Sequence, residues 1–152
     1  REINELIKNG NEIANHNMMD WPYKKYTEND FETDLLLNKD ILSSYEQEYS
    51  LWYRAPFGQL SNNMNKVLKK HSMKHVLPSV FAHDTFIPDP KWISKYILKR
   101  VIPGSILLIH MPEKGVREWN YEALKLTLQG LKEKKLEVLN LTEISNKEIL
   151  NA

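Results

Sequence analysis

Segments typical of strands alternate with segments typical of helices along the whole chain, and only short links join them. This alternation predicts βα units and a parallel sheet, either open or closed into a barrel. Active sites of such α/β folds lie at the carboxyl ends of the strands. The predicted strands are 12–15, 50–54, 73–80, 105–109 and 136–141, and the predicted helices are 2–10, 29–45, 61–71, 90–100 and 119–134.

Local signals support several of these boundaries. Thr27 begins a capping-box pattern before the second helix, and Gly10 is a typical glycine stop for the first. The uninterrupted apolar run Ser105–Ile109 is typical of a strand that is buried on both faces. Because the chain opens inside a helical pattern, we expect a further portion of the protein upstream of residue 1.

The composition excludes several classes of site. The 152 residues contain no cysteine, which rules out disulfides, thiolate metal sites and a cysteine nucleophile. A net charge of +1 gives no overall field that would attract nucleic acid, and no apolar run approaches the roughly 18 residues of a membrane span. We therefore expect neither a nucleic-acid partner nor a membrane span. No repeat or low-complexity linker interrupts the sequence, so we interpret residues 1–152 as a single domain.

Polar side chains follow four successive predicted strands, at the point where each strand ends. They are His16 and Asp20, Arg54, His83 and Asp84, and His110. Because the carboxyl ends of parallel strands meet at one edge of a sheet, we expect these groups to form one functional site.

His16 and Asp20 are a candidate metal site. Their spacing of i and i+4 places two side chains on the same side of a helical turn. An imidazole nitrogen and a carboxylate oxygen suit zinc, and also cobalt, nickel or iron. A capping or surface role for Asp20 is the alternative interpretation.

His110 ends the apolar strand, and Asp84 is the natural partner with which it would hold a tuned proton. A histidine that is simply packed at the end of a core strand is the alternative. Pro56 restrains the backbone next to Arg54, so we expect the guanidinium to be held in place. A structural ion pair of Arg54 with Asp84 or with a helix terminus is the alternative.

Four of these segments resemble, in order, the motifs of the polysaccharide deacetylase family, whose domain is called the NodB homology domain. Gly10–Asn17 resembles the second motif, G-H-E-I-x-N-H-[ST]-x-x-H, and Arg54–Gly58 resembles the third, R-x-P-[FY]-G. His83–Trp92 resembles a loose form of the fourth motif, and Gly104–His110 resembles the fifth, a buried strand that ends L-x-H. With a matching last helix and strand, the resemblance runs from residue 1 to about residue 144.

The resemblance implies a distorted (β/α) barrel of NodB type that is incomplete at its N-terminus. It also implies hydrolysis of an N-acetyl group from an amino sugar, with a divalent metal as cofactor. His16 would be a metal ligand, and Asp20 would take the place of the family's second metal-binding histidine. Zinc is the expected ion, with cobalt, nickel or iron as alternatives. The family further implies an extracytoplasmic or cell-surface location.

The resemblance also implies the residues that handle the proton and the acetyl group. His110 would be the general acid that protonates the leaving amine, and Asp84 would be its hydrogen-bond partner. Arg54 would orient the catalytic base. Leu108 would line the acetyl pocket, and Trp92 would flank it.

Two departures from the family pattern matter. Asp20 stands where the family has a histidine, which would make the metal site harder and weaker. The first motif, T-F-D-D, which supplies the family's base and one metal ligand, is absent from the 152 residues. We therefore expect this chain alone to be inactive, and we expect an exposed sheet edge to favour self-association.

The sequence thus favours a metal-dependent hydrolase that removes N-acetyl groups from chitin or a related N-acetylated carbohydrate. A catalytically inactive relative that binds glycan or serves a structural role is the alternative, and a hydrolase of small amides or polyamine-like compounds is a third possibility. Phe57 and other aromatic residues near the expected site suit stacking on sugar rings, and core packing explains them equally well.

Overall fold

The computed structural model describes residues 2–45 and 50–150, with side chains as far as residue 147. These residues form two compact units, one from the described parts of 1–77 and 140–152 and the other from 78–139. The interpretation of residues 1–152 as a single domain stays a prediction. Among the described residues, no helix has the length and apolar character that crossing a membrane requires.

The first unit contains parallel extended segments. Strand β1 (Trp52–Tyr53) pairs in parallel with β2 (Lys74–His75), and Asn15 forms a parallel bridge to Tyr53 at the opposite edge of β1. Of the predicted strand 12–15, only Asn15 is paired. The helices of this unit are α1 (Glu2–Lys8), α2 (Glu28–Leu42), α3 (Asn62–Lys70) and α6 (Leu141–Leu150), with short 3₁₀ turns at Tyr23–Lys25 and Pro56–Gly58.

Side-chain caps start the two central helices of the first unit. The Thr27 hydroxyl accepts a hydrogen bond of 3.1 Å from the Asp30 N–H, which confirms the predicted cap of α2. Ser61 caps α3 in the same way. Both helices turn apolar residues at i, i+3 and i+4 spacing towards the core. The buried core residues are Tyr23, Phe31, Leu35, Tyr53, Ala55, Met64, Val67, Leu68 and Met73.

The second unit also contains a parallel strand pair, β3 (Val80–Phe81) with β4 (Leu107–Leu108). Its helices are α4 (Pro90–Arg100), which begins and ends where the sequence predicts, and α5 (Trp119–Glu133). The buried core residues of this unit are Val80, Ala82, Ile93, Ile97 and Ala123. The helices and parallel strand pairs of both units confirm the α/β class, whereas the barrel stays a prediction.

Two strand predictions need correction. The predicted strand 73–80 is two separate strands, β2 and β3, because Pro78 lies between them and has no N–H for a strand ladder. The run Ser105–Ile109 is half-buried rather than buried on both faces. Only its residues Leu107 and Leu108 form a strand, and within this unit that strand pairs with β3 alone.

The predicted final strand 136–141 is wrong. Residues 136–140 adopt no regular structure, and α6 begins at Leu141. Asn140 and Glu143 form a reciprocal capping box, in which the Glu143 N–H donates to Asn140 Oδ1 at 2.8 Å and the Asn140 N–H donates to Glu143 Oε2 at 2.9 Å. The spacing of these two residues in the sequence is the signal that identifies the helix start.

Candidate active site

His16 and Asp20 lie in the loop that follows the bridge at Asn15. The structure brings them together, with His16 Nε2 at 3.9 Å from Asp20 Oδ1. The predicted helical turn is wrong, because residues 18–20 form a bend and Asn17 adopts a left-handed conformation with φ of 64°. Asparagine tolerates this backbone conformation better than other non-glycine residues.

The imidazole ring of His16 has a defined orientation. Its Nδ1 lies 2.5 Å from the carbonyl oxygen of Arg54. Because a carbonyl oxygen can only accept, Nδ1 carries the proton of the neutral ring and Nε2 is the acceptor nitrogen. Metal-binding histidines are commonly oriented by such a bond from the other ring nitrogen.

Asp34 on α2 fastens the loop that carries this pair. Its Oδ1 accepts hydrogen bonds from Asn17 Nδ2 at 2.6 Å and from the Met18 N–H at 3.0 Å. Its Oδ2 accepts a bond of 2.8 Å from the hydroxyl of Tyr23. The Asp34 carboxylate therefore restrains the segment on both sides of Asp20, although Asp20 itself is exposed.

Buried hydroxyl and amide groups complete this network. The Tyr53 hydroxyl donates to Asn17 Oδ1 at 2.5 Å, and Asn38 Nδ2 donates to the Asn17 carbonyl at 3.0 Å. Burial, followed by the charges of Tyr23 and Asp34, raises the pKa of Tyr53. Burial, followed by the hydrogen bond to Asp34, raises the pKa of Tyr23. Both phenols therefore remain protonated donors throughout the neutral range.

Arg54 and Phe57 follow β1, as the sequence predicts. The Arg54 N–H donates to the Asn15 carbonyl at 3.1 Å, which continues the parallel pairing. Burial lowers the pKa of the Arg54 guanidinium, and the nearby Asp20 carboxylate opposes that effect. Phe57 has a left-handed φ of 55° although its side chain is 64% exposed. Core packing therefore does not explain this aromatic residue.

In the second unit, Asp84 and His110 form a hydrogen-bonded pair. The Asp84 side chain is 2% exposed, and its Oδ1 lies 3.0 Å from His110 Nδ1. Its Oδ2 accepts a bond of 2.6 Å from the His110 N–H. Burial raises the pKa of Asp84, but the hydrogen bonds and charge of His110 outweigh burial and hold the pKa below the ordinary carboxyl value. An ionised Asp84 therefore fixes the His110 proton on Nδ1 in the neutral ring.

Two residues at the start of α5 complete this pair and were not predicted. Asn120, which is fully buried, donates through Nδ2 to Asp84 Oδ2 at 2.7 Å and to the His110 carbonyl at 2.9 Å. The indole N–H of Trp119 donates to the Asp84 carbonyl at 2.9 Å. The only sequence signal was an asparagine among the inward-facing positions of an amphipathic helix.

Trp92 and Leu108 lie in the same unit as the pair. Trp92, in the first turn of α4, is 39% exposed and stacks on Tyr96 of the same helix at a ring-centroid distance of 4.9 Å. Leu108 is half-buried in β4 opposite Phe81. Their predicted contacts with substrate stay predictions.

The residues that the structure describes do not form a complete metal site around His16 and Asp20. In residues 2–45 and 50–150, no group of three or more His, Cys, Asp or Glu side chains is placed to hold a metal ion. His16 and Asp20 nevertheless offer an oriented imidazole nitrogen and a carboxylate oxygen. Catalytic zinc sites have three protein ligands, so these two donors would supply part of the coordination shell of zinc or cobalt.

Sequence comparison identifies relatives of this chain. The profile of the polysaccharide deacetylase family matches residues 1–76, which is half of the chain. A peptidoglycan-N-acetylglucosamine deacetylase of Bacillus cereus is 26% identical over 110 residues, which cover 71% of this chain and 51% of that protein. A second protein of that name from the same organism is 23% identical over 132 residues, which cover 87% of this chain and 48% of that protein. The chain thus spans about half the length of the curated relatives it matches.

Solved structures share the fold. A peptidoglycan N-acetylglucosamine deacetylase matches 93% of this chain and 66% of its own with a TM-score of 0.84 at 22% identity. A family 4 acetyl xylan esterase from Clostridium thermocellum in complex with cobalt matches 93% of this chain and 67% of its own with a TM-score of 0.82 at 20% identity. A carbohydrate esterase family 4 pseudoenzyme from Bacillus anthracis matches 92% of this chain and 50% of its own with a TM-score of 0.78 at 23% identity.

Proposed function

Because this chain belongs to the polysaccharide deacetylase family, we propose that the protein is a metal-dependent hydrolase that removes N-acetyl groups from an amino-sugar polymer. The pair formed by buried Asp84 and His110 carries the proposal, because it is a preformed group for proton transfer. The names of the curated relatives favour a polymer of N-acetylglucosamine, such as peptidoglycan or chitin.

In the proposed reaction, His110 is the general acid. Water loses a proton to a catalytic base as it adds to the acetamide carbonyl carbon, and the C–N bond then breaks. The leaving nitrogen takes a proton from Nε2 of protonated His110, so the products are a free amine and acetic acid, which ionises to acetate. Asp84 accepts from Nδ1 at 3.0 Å and stays ionised, so it stabilises the imidazolium before the proton leaves. His110 is half-buried, which leaves the ring partly accessible to a substrate.

His16 and Asp20 would hold the divalent cation in the proposed enzyme. When bound, such a cation polarises the amide carbonyl and lowers the pKa of the attacking water. The bond from His16 Nδ1 to the Arg54 carbonyl keeps Nε2 as the donor nitrogen, and the bonds of Asp34 restrain the loop that carries Asp20. Zinc or cobalt suits this nitrogen and oxygen pair.

We assign no catalytic base to this chain, because the string T-F-D-D does not occur in its 152 residues. Arg54 would orient a base, and the 152 residues alone are expected not to release acetate. The remaining parts of the proposal are a distorted barrel, an extracytoplasmic or cell-surface location, and self-association of the isolated chain through a sheet edge.

Three apolar residues are proposed to contact the carbohydrate. Leu108 would line the acetyl pocket, Trp92 would flank it, and Phe57 would stack on a sugar ring. The exposure of Phe57 at 64% and of Trp92 at 39% supports these roles, since exposed aromatic rings are available to a ligand.

The test measures acetate released from chitin oligomers and from peptidoglycan by the intact protein, with zinc or cobalt added. We expect release that a chelator abolishes and that His110→Ala lowers by about 100-fold or more. Asp40→Asn, an exposed change on α2, is the control and should leave the rate unchanged. If neither glycan yields acetate with any divalent metal, the proposal is wrong.

A catalytically inactive glycan-binding protein is the second candidate. It is favoured by Asp20, an exposed carboxylate where the family has a histidine ligand. It is also favoured by the lack of a third metal-binding side chain near His16 in residues 2–45 and 50–150. Metal analysis and glycan-binding measurements on the intact protein discriminate between the two. Glycan binding without stoichiometric metal, and unaffected by His16→Ala, would support the inactive protein.

A further inference from the structure

Asn120 contacts both members of the Asp84 and His110 pair with a single amide group. One N–H of its Nδ2 points to Asp84 Oδ2 at 2.7 Å and the other to the His110 carbonyl at 2.9 Å. Both neighbours are acceptors, so the NH₂ group must face them, and the reversed amide would set an oxygen against two oxygens. The position of the donors is therefore fixed by the chemistry of the site.

The bond from Asn120 restrains the plane of the Asp84 carboxylate. Oδ2 accepts from both Asn120 and the His110 N–H, at 2.7 and 2.6 Å. These two short bonds restrain rotation of the carboxylate, and His110 Nδ1 lies 3.0 Å from Oδ1 and 3.3 Å from Oδ2. Charge-assisted bonds of this kind also favour the ionised carboxylate.

The same amide restrains the main chain of His110. The His110 carbonyl accepts from Asn120, and the His110 N–H donates to Asp84, so the peptide groups on both sides of this residue are held. The imidazole can then move only about its side-chain torsions, and the bond to Asp84 defines these. The orientation of the ring thus depends on Asn120 as well as on Asp84.

The Asn120 side chain acts at this position only as a hydrogen-bond donor. Its Oδ1 is buried and has no hydrogen-bond partner among the described residues. A buried acceptor without a partner is unfavourable and rare in folded proteins. The two N–H bonds are therefore the polar contribution of this side chain.

We propose that Asn120 is a positioning residue that holds His110 in the tautomer with the proton on Nδ1, so that Nε2 is the nitrogen that exchanges a proton with substrate. The inference depends on the proposed function only where it names His110 as the acid. Its geometry lies wholly within the second unit, and its test does not require turnover.

The experiment records long-range ¹⁵N–¹H correlations of the histidine rings in the intact protein, at a pH high enough for the imidazole rings to be neutral. His110 is assigned by comparison with His110→Gln. We expect the Nδ1–H pattern for His110 in the unmodified protein and a fall in that form by about half or more in Asn120→Leu, which removes both donors at similar volume. Thr127→Val is the matched control, because Thr127 is 1% exposed on the same helix and bonds only within it, to Ala123.

Retention of the full Nδ1–H pattern in a folded Asn120→Leu variant would overturn the inference. If that variant does not fold, Asn120→Ala replaces it, because alanine also removes both donors and is too small to overpack the site. Loss of the Nδ1–H form supports the inference, and its persistence refutes it. If the unmodified protein released no acetate but the Asn120 variant still lost the Nδ1–H form, the proposed function would be refuted and this inference would stand.

Discussion

In the second unit, the side chain of Asp84 is 2% exposed and its carboxylate lies 3.0 Å from the ring of His110. In the first unit, the side chain of Asp20 is 76% exposed and its carboxylate lies 3.9 Å from the ring of His16. Both pairs join a carboxylate to a histidine that follows a short parallel segment. They differ in whether water can solvate the acid.

This difference determines when each geometry is established. A buried carboxylate must find hydrogen-bond donors in the protein, so folding itself sets the positions around Asp84. Water can solvate the exposed Asp20, so no buried hydrogen bond fixes its distance of 3.9 Å from His16. The pair proposed for proton transfer is thus formed in advance, whereas the pair proposed to bind metal is expected to close when a cation binds.

The largest effect is expected from removing the two carboxylates in turn. Asp84→Ala should lower the free energy of unfolding by about 3–5 kcal/mol, because it leaves the donors of His110 and Asn120 buried without an acceptor. Asp20→Ala should change it by less than about 0.5 kcal/mol, as for most exposed charges. Urea unfolding at neutral pH measures both, and equal losses would contradict the comparison.

An intermediate effect is expected at Asp34, where the first unit does contain a well-bonded carboxylate. Asp34→Asn should cost about 1–3 kcal/mol, since an amide cannot accept at both positions from Asn17, Met18 and Tyr23. It should also weaken zinc binding by the intact protein about tenfold or more, as loss of supporting bonds does in other metal sites. Calorimetric titration with zinc measures the affinity, and Asp40→Asn on the same helix is the control. A stable Asp34→Asn variant with unchanged zinc affinity would show that this loop does not contribute to metal binding.

The smallest effect is expected in the response to acid. Burial lowers the pKa of His75 in the first unit, so protonation favours unfolding and stability is lost as pH falls below about 6.5. The pKa of Asp84 is also lowered, so its contribution is present above about pH 4 and is lost only below that value. Each change is expected to be smaller than the loss of stability caused by Asp84→Ala or Asp34→Asn.

Amide spectra recorded from pH 7 to 3 can resolve the two acid responses. The first unit should weaken before the second, and His75→Leu should remove the loss that begins below about pH 6.5. If both units of the protein with His75 in place lost their structure together at one pH, His75 and Asp84 would not be two separate causes of the acid response.

The helices could be predicted because their starting signals are local. Thr27, Ser61 and Pro90 each mark a helix start within a few residues of sequence. The strands were predicted less well, since an apolar run does not show where a neighbour stops pairing. The run through Pro78 was read as one strand and the run before Leu141 as another, although a proline and a capping box were both visible.

The candidate site was predicted in part for the same reason. Asp84 and His110 were paired from the sequence because each follows a strand, and the structure places them in contact. Asn120 and Asp34 were missed because they lie within helices, where a polar residue usually faces water. Their partners are 10 to 36 residues away in the sequence, and no local pattern reports such contacts.

The conformation of Phe57 has a consequence for how this protein can change over evolution. A non-glycine residue in the left-handed region costs about 1–2 kcal/mol, and a ring that is 64% exposed recovers little of that by burial. Selection for stability alone would therefore favour glycine at this position. The aromatic side chain at this position therefore lowers the thermal stability of the loop, and the proposed contact with a sugar ring is the function that would offset this loss.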